Sequence, residues 1–416
     1  MRLNVFRELE SGFELVGRFY ASENHLGFTY AESYLASQSA KAISSSLPLA
    51  AAPFGAEATS AFFDGLLPEG SMRRSLSGYY RLEPSDVAGL LSRLNNESVG
   101  ALVFKQQGEE PSSGRCYVPI SADELSELAL EPAQAALSLT HEARLSLAGA
   151  QRKVGLYHEG SDMGCGWHKP QGCAPTNYIV KIADGTFPNQ TINEALCMLT
   201  AAKLGHEVAE CTLIPVGNAE PLLAVKRFDR TESQGVFMQR LHQEDFCQAL
   251  GLPRNRKYEP TEGNYANKCA ALLTQVSNNA AGDRIGLFSA LLFSWAVGNC
   301  DNHLKNYSLL WSADWRHIAL SPLYDITCTL VYPQLEHEMG VSLCPSRRID
   351  DVSLESIIDT AKRMGVGKQF ALNEYRDLCL NFERALRESE AEIAGLGFDA
   401  VSPIADFIST SFKERC

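Results

Sequence analysis

Residues 298 to 325 constrain this chain more than any other stretch. They begin Gly298-Asn299-Cys300-Asp301-Asn302-His303-Leu304-Lys305-Asn306, continue into the apolar run Tyr307 to Trp311, and reach Tyr324-Asp325. A helical pattern over 283–297 delivers the chain to Asp301. Asn306 then follows Asp301 by five residues, and Asp325 lies beyond what reads as a short hairpin. An amide and a carboxylate thus flank one hairpin, and hard divalent cations prefer such oxygen ligands. An Asx-rich turn after a helix would account for Asn299 and Asn302. It does not account for Asp301, Lys305, Asn306 and Asp325 together.

Composition narrows the setting. The chain has 416 residues, 45% hydrophobic and 21% charged, which is ordinary globular material for roughly two or three domains. The longest apolar runs, Leu287 to Val297 and Ala195 to Leu204, fall short of the ~20 residues a bilayer requires. Met1-Arg2-Leu3-Asn4-Val5-Phe6-Arg7 has no apolar signal-peptide core and reads as a first strand. The expectation is a cytoplasmic protein with no membrane partner. Twelve cysteines form no CxxC pair, and Cys197, Cys247 and Cys379 sit in apolar contexts expected of small core residues. Cys165, His168 and Cys173 alone hint at ligand spacing, but the segment is Gly-rich and offers no clear fourth ligand. The net charge of −13 argues against direct gripping of a phosphate backbone, so DNA would be reached only through a partner.

The pattern along the chain predicts an α+β protein in four segments. Residues 1–106 alternate strands (Leu3-Phe6, Phe13-Phe19, Gly27-Tyr30) with helices (Ala56-Leu66, Pro84-Leu94). Residues 107–142 connect, with a loop at 108–114 and a helix start at Ser121. Residues 143–240 carry a strand at Lys153-Tyr157, a loop to Ala174 and a strand at Asn177-Ile182. A helix at Asn189-Leu204, closed by Gly205, and strands at Thr212-Val216 and Leu222-Phe228 follow. Residues 241–416 turn helical, at 242–250, 264–279, 283–297 and again from 351 onward. The order strand, strand, helix, strand, strand is that of a kinase-like nucleotide lobe.

Phosphoryl transfer needs positioning, charge neutralisation and a route for the hydroxyl proton rather than covalent chemistry. In kinases an Asp placed like Asp301 faces the substrate hydroxyl, and an Asn and a second Asp hold Mg²⁺ on the nucleotide phosphates. Asn306 and Asp325 fit those metal roles, and Lys305 fits charge neutralisation on the transferred group. A strand lysine near the phosphates is met by Lys181 in Tyr-Ile-Val-Lys-Ile, with Glu194 on the following helix as its expected partner. Ser146-Leu-Ala-Gly-Ala-Gln-Arg-Lys153 is a small-residue loop suited to phosphate, though an ordinary tight turn fits equally. Val225-Lys-Arg-Phe-Asp-Arg230 could meet an adenine edge through its backbone, with Phe228 stacking. A solvent-exposed charged strand end fits that segment as well.

Collinear blocks then give a resemblance over nearly the whole length. They are Gly65-Leu-Leu-Pro-Glu-Gly70, the 146–153 loop, Lys169-Pro-Gln-Gly, Tyr178-Ile-Val-Lys181, Asn193-Glu194, Val225 to Arg230, Leu241 to Gly251, Gly298 to Leu310 and Ser321-Pro-Leu-Tyr-Asp325. In this series the chain resembles the HipA family of toxin serine/threonine kinases. The resemblance implies a small N-terminal α/β subdomain ahead of a two-lobed kinase with an all-helical C-terminal lobe. It implies ATP and Mg²⁺ as cofactors and Asp301 as the catalytic residue. Lys153 and Lys181 would contact the nucleotide phosphates, Arg227 and Phe228 would form the hinge, and Gln243 would join the nucleotide-binding set. It also implies autophosphorylation of Ser146, which expels the loop and silences the enzyme. The expected partners are a HipB-like helix-turn-helix antitoxin that reads DNA and a protein substrate in translation, such as an aminoacyl-tRNA synthetase. Two departures are visible: Ile326 follows Asp325, so there is no Asp-Phe-Gly element, and Asn299-Cys300 precede Asp301 instead of His-Arg.

Two other readings share these residues. Asp301, His303 and Asn306 also suit a small-molecule or lipid-headgroup kinase. A catalytically silent chain that bridges antitoxin dimers on DNA is the non-enzymatic alternative.

Overall fold

A computed structural model describes the chain except residues 10–11, 23–24, 95, 112–113, 150, 184, 234–236, 262 and 344. Parts of the expected 108–114 and 146–153 loops lie among those residues. Contacts gather into two compact units: Met1–Asp184, Ile214–Arg254 and Leu310–His317 form one, and Gly185–Leu213, Asn255–Leu309 and Ile318–Cys416 form the other. The expected N-terminal subdomain and most of the strand-rich segment therefore fall in the first unit.

Two larger antiparallel sheets lie in the first unit among the described residues. In one, the strands run in the order His25–Tyr30, Gly12–Ser22, Arg2–Leu9, Leu102–Gln106. Period-2 alternation buries Leu3 and Val5, and a register shift at Val5/Phe6 then brings Phe6 and Arg7 inside as well. The Ala56–Gly65 helix covers this sheet through Phe63, whose ring lies 4.5 Å from Phe19 and 5.4 Å from Phe28. Arg7 is buried there with Glu14 at 2.8 Å and the Ser39 carbonyl at 2.9 Å as partners. The second sheet places Leu222–Lys226, Tyr178–Lys181, Lys153–His158, Trp167–Gly172 and Arg115–Pro119 side by side in that order. The expected Ser121 helix start is a full capping box, with Ser121 and Glu124 each bonding the other's backbone N–H.

Two local expectations change. The segment read as a loop to Ala174 contains the strand Trp167–Gly172, paired with Arg115–Pro119 along its length and with Lys153–His158 at one end. Its glycines and Pro170 argue for a loop, and tertiary pairing overrides that local preference. The helix read over 242–250 is a strand at Gln243–Asp245 and a single helical turn at Phe246–Ala249. Asp245 decides this: its carboxylate accepts from the Gln248 N–H at 2.9 Å, so the helix starts there.

Helices dominate the second unit, with one short strand pair, Glu338–Leu343 and Ser346–Arg348. The Gln190–Lys203 helix ends as expected at Gly205, which sits at φ 90° and lets His206 N–H reach back to the Ala201 carbonyl at 3.1 Å. The Lys368–Gly395 helix packs along it and against Val401–Arg415, where the Phe382 and Phe412 rings lie 4.2 Å apart. Ala280–Val297 is longer than the apolar run read from sequence. Its 18 residues, at mean hydropathy 1.2, are long and apolar enough to cross a membrane, yet 61% of it is buried inside the fold. That burial is what a core helix shows.

Candidate active site

The Ala280–Val297 helix terminates at Gly298, which adopts φ 82°. A side chain is disfavoured in this left-handed conformation, and it turns the chain sharply into the Asp301 loop. Asn299 N–H caps back onto the Ser294 carbonyl at 2.8 Å, and its side-chain oxygen accepts the Asp301 N–H at 3.0 Å. Asn306 closes the loop from the other side: its Nδ2 donates to the Asp301 carbonyl at 2.7 Å. That bond occupies the amide nitrogen and leaves the amide oxygen as the atom available to a cation. Residues Leu304–Asn306 form a 3₁₀ turn in which Lys305 and Asn306 are buried. The Asp301 side chain stays 47% exposed, while His303 behind it is only 7% exposed. Asp301 thus presents an exposed carboxylate on a loop fixed by its own neighbours.

Asp325 adopts φ 56° and is half-buried. A non-glycine residue in the left-handed region costs about 1 kcal/mol or more, and surrounding bonds must hold it there. They do so on both sides. Before it, the Tyr324 hydroxyl donates to the Lys305 carbonyl at 2.8 Å and meets Ser308 Oγ at 2.6 Å. After it, the Asn193 amide forms a two-way clamp on Cys328, donating to its carbonyl at 2.9 Å and accepting its N–H at 3.0 Å. Glu194, next to this clamp, is buried on the same helix. Within this unit, Asp301 and Asn306 are bonded directly, Lys305 is bonded through its carbonyl to Tyr324, and Asp325 is flanked by the bonds of Tyr324 and Cys328.

Two contributors escaped the sequence reading. Tyr258 donates its hydroxyl to Asp301 Oδ1, and its ring meets His303 edge-on at 5.0 Å. Gly340 lies against the same loop: a Cβ there would approach the His303 nitrogen at 2.7 Å, inside any real contact. Tyr258 is 43 residues before Asp301 and Gly340 lies beyond Asp325, so neither belongs to a motif that spacing could reveal. Asn193 was noticed only as a neighbour of Glu194.

In the first unit, Lys153 and Lys181 stand directly opposite each other on adjacent antiparallel strands. Opposed residues project to one face, where two like charges repel unless something negative lies against them. Lys181 is buried and Lys153 half-buried, and Gly149 at φ 105° brings its backbone beneath the Lys153 ammonium. Leu147, Gly149, Gln151 and Lys153 line a recess here together with Met72. Ser146 is fully buried, and its hydroxyl donates to the Leu66 carbonyl at 2.6 Å. A phosphate on Ser146 would face that carbonyl oxygen in a closed space, so phosphorylation requires the loop to leave.

Arg227 and Phe228 behave differently from each other. Phe228 is half-buried. The Arg227 guanidinium is fully engaged, at 2.9 and 2.7 Å from Asp229, 3.3 Å from Glu97 and 3.1 Å from Thr176 Oγ1, and its N–H donates to the Asn177 carbonyl. Arg230 joins at 2.6 Å from Glu97. Burial alone would push Glu97 upward, but the two guanidiniums more than reverse this and hold it below the usual carboxylate range. Asp229 is lowered in the same way, against its own burial. The Arg227 side chain is therefore a member of a buried ion-pair cluster.

Gln243 is buried on its short strand. Its neighbour Glu244 accepts the Ser45 N–H at 2.9 Å, and burial pushes this carboxyl up to about 7. His242 stacks on Trp315 at 4.4 Å, its Nε2 lies 2.7 Å from the Ile43 carbonyl, and burial pushes the imidazole down to about 4. The suggested zinc residues do not gather. Cys165 faces Asp162, His168 Nδ1 lies 3.0 Å from its own loop's Gly166 carbonyl, and Cys173 is buried elsewhere. Among the described residues no group of three His, Cys, Asp or Glu side chains converges on a common point.

Known proteins share this architecture. The structure superposes on HipA from a Shewanella oneidensis complex of HipA, HipB and operator DNA with a TM-score of 0.81. That match is 21% identical and covers 100% of this chain and 96% of the other. The class is thus that of the HipA kinase-like fold. In sequence, the HipA N-terminal domain matches residues 11–105 and the HipA-like C-terminal domain matches residues 145–386. The chain belongs to the HipA family. Among its relatives, Y4mE of Sinorhizobium fredii is 34% identical over 85% of this chain and 84% of that protein. The serine/threonine-protein kinase toxin HipA of Shewanella oneidensis is 24% identical over 86% of this chain and 83% of that one.

Proposed function

We propose that this chain is an ATP- and Mg²⁺-dependent serine/threonine protein kinase and the toxin of a toxin–antitoxin pair. The observation that carries the reading is the Asp301 loop, where an exposed carboxylate, a buried lysine and an amide fixed by a bond to the Asp301 carbonyl share one turn. In the first unit, Lys153 and Lys181, opposed on adjacent strands, hold nucleotide phosphates. In the second, the Asn306 amide oxygen and the Asp325 carboxylate fit Mg²⁺, whose preference is for hard oxygen donors at few, rigid positions. The bound metal supplies neutralisation of phosphate charge. Asp301 orients the substrate hydroxyl and takes its proton, and Lys305 stabilises charge on the transferred group.

The partner and substrate follow the same reading. A HipB-like helix-turn-helix antitoxin is the partner, suiting a chain of net charge −13 that reaches DNA through another protein. The substrate is a protein of the translation apparatus, and Ser146 is the self-modification that switches the enzyme off. Phosphopeptide mapping after incubation with ATP and Mg²⁺ tests the switch. Phosphate on Ser146 in the wild type and none in Asp325→Ala is the expected pair of results. An unmodified Ser146 in an enzyme that labels other proteins removes the self-silencing step. Label confined to small molecules in a cell lysate favours the small-molecule kinase instead.

A further inference from the structure

The chemistry above leaves unused a place in the second unit where two sulfurs meet. Cys379, half-buried on the Lys368–Gly395 helix, and Cys416, exposed at the end of Val401–Arg415, place their Sγ atoms 3.3 Å apart. They are 37 residues apart in sequence, and no motif connects them. The sequence reading took Cys379 for an apolar core residue, and its half-buried position against a second thiol corrects that. The phenol of Tyr375 interacts with both sulfurs.

We propose that Cys379 and Cys416 are a redox modification site that forms a reversible disulfide by exchange with a low-molecular-weight disulfide such as oxidised glutathione. One protein thiolate attacks the small disulfide, forming a mixed disulfide and expelling one small thiolate. The second protein thiolate then attacks the mixed disulfide at the protein sulfur and expels the other. Two protein thiols are oxidised, one small disulfide is reduced to two thiols, and the two protons released end on those thiols. The sulfurs need to close from 3.3 Å to the ~2.05 Å of the bond, a movement that side-chain rotation at a helix end supplies.

The consequence reaches the catalytic loop through one residue. Arg415, adjacent to Cys416, donates to the Trp295 carbonyl at 3.1 Å and the Ala296 carbonyl at 2.8 Å. Those are terminal carbonyls of the Ala280–Val297 helix, whose last turn leads into Gly298 and Asp301. A cation on the C-terminal end of a helix satisfies carbonyls that lack an intrahelical donor and opposes the helix dipole. The disulfide clips the helix that presents this cation, holding the last turn before the catalytic loop in place.

The full chain, equilibrated in reduced or oxidised glutathione, is digested without reduction and mapped by mass spectrometry, with hydrogen exchange read in parallel. The proposal expects a peptide crosslinking Cys379 to Cys416 in the oxidised sample, reversed by dithiothreitol. It also expects at least tenfold slower exchange of the 401–415 amides. Cys379→Ser and Cys416→Ser each abolish both effects, while the double variant Cys116→Ser, Cys165→Ser at exposed thiols keeps them. Separate glutathione adducts on the two cysteines, a crosslink to any other cysteine, or unchanged exchange in a crosslinked sample each overturn it.

Discussion

The Asp301 loop and the Arg227 cluster are both dense in charged and amide groups, yet they are built on opposite plans. The loop is closed by its own neighbours: Asn299 bonds Asp301 two residues on, and Asn306 bonds it five residues back. The cluster is closed by distance, since Glu97 meets Arg230 across 133 residues and Thr176 across 79. A locally closed site leaves its pattern in the sequence. A distantly closed one leaves only residue types, which do not disclose their partners. Arg227 illustrates this, for nothing in the local sequence shows that Asp229 and Glu97 hold its guanidinium.

That contrast can be broken most sharply at Arg227. Arg227→Ala strands Glu97 and Asp229 with one fewer cation in a fully buried setting, and denaturant unfolding should show a loss of about 3–5 kcal/mol. Unchanged stability with weakened ATP binding would return Arg227 to the nucleotide site and erase the contrast.

Glu244 offers a smaller effect with a definite sign. Its folded pKa of about 7 lies above the ordinary 4.5, because burial disfavours the charged form. Its stabilising contribution is therefore full below pH 4.5 and lost as pH rises through about 7. The difference between the two values corresponds to about 3 kcal/mol. Glu244→Gln should flatten the pH dependence of stability between pH 5 and 8 and be the more stable protein at pH 8. A wild-type profile that is already flat there would show that the carboxylate is solvated in place.

Tyr258→Phe sharpens the comparison from the catalytic side. It removes one bond to Asp301 and leaves the backbone framework of the loop intact, so kcat should change by no more than about tenfold, near 1 kcal/mol. A collapse approaching that of an Asp301 variant would mean the loop depends on a residue 43 positions away after all.

How much the sequence disclosed follows the same line. The strands that carry Lys153 and Lys181, the helix ending at Gly205 and the helix leading to Asp301 were legible because periodicity and caps are local signals. The Trp167–Gly172 strand was not, because two flanking strands make it one against its own glycines and proline. At the candidate site, the five-residue spacing of Asp301 and Asn306 is local, and the structure joins the two by a hydrogen bond. Tyr258, Gly340 and the Asn193 clamp act through the folded chain. Their roles rest on a phenol aimed at a carboxylate, a missing Cβ and an amide placed opposite Cys328.

The central claim is that Asp301 belongs to a working phosphotransfer site. Purified chain given γ-labelled ATP and Mg²⁺, with cell protein as acceptor, measures it directly beside Asp301→Ala. Transfer to protein by the wild type, reduced by about 10³-fold or more in a variant with an unchanged melting temperature, is the predicted result. A folded Asp301→Ala chain that transfers phosphate as fast as the wild type would contradict the account.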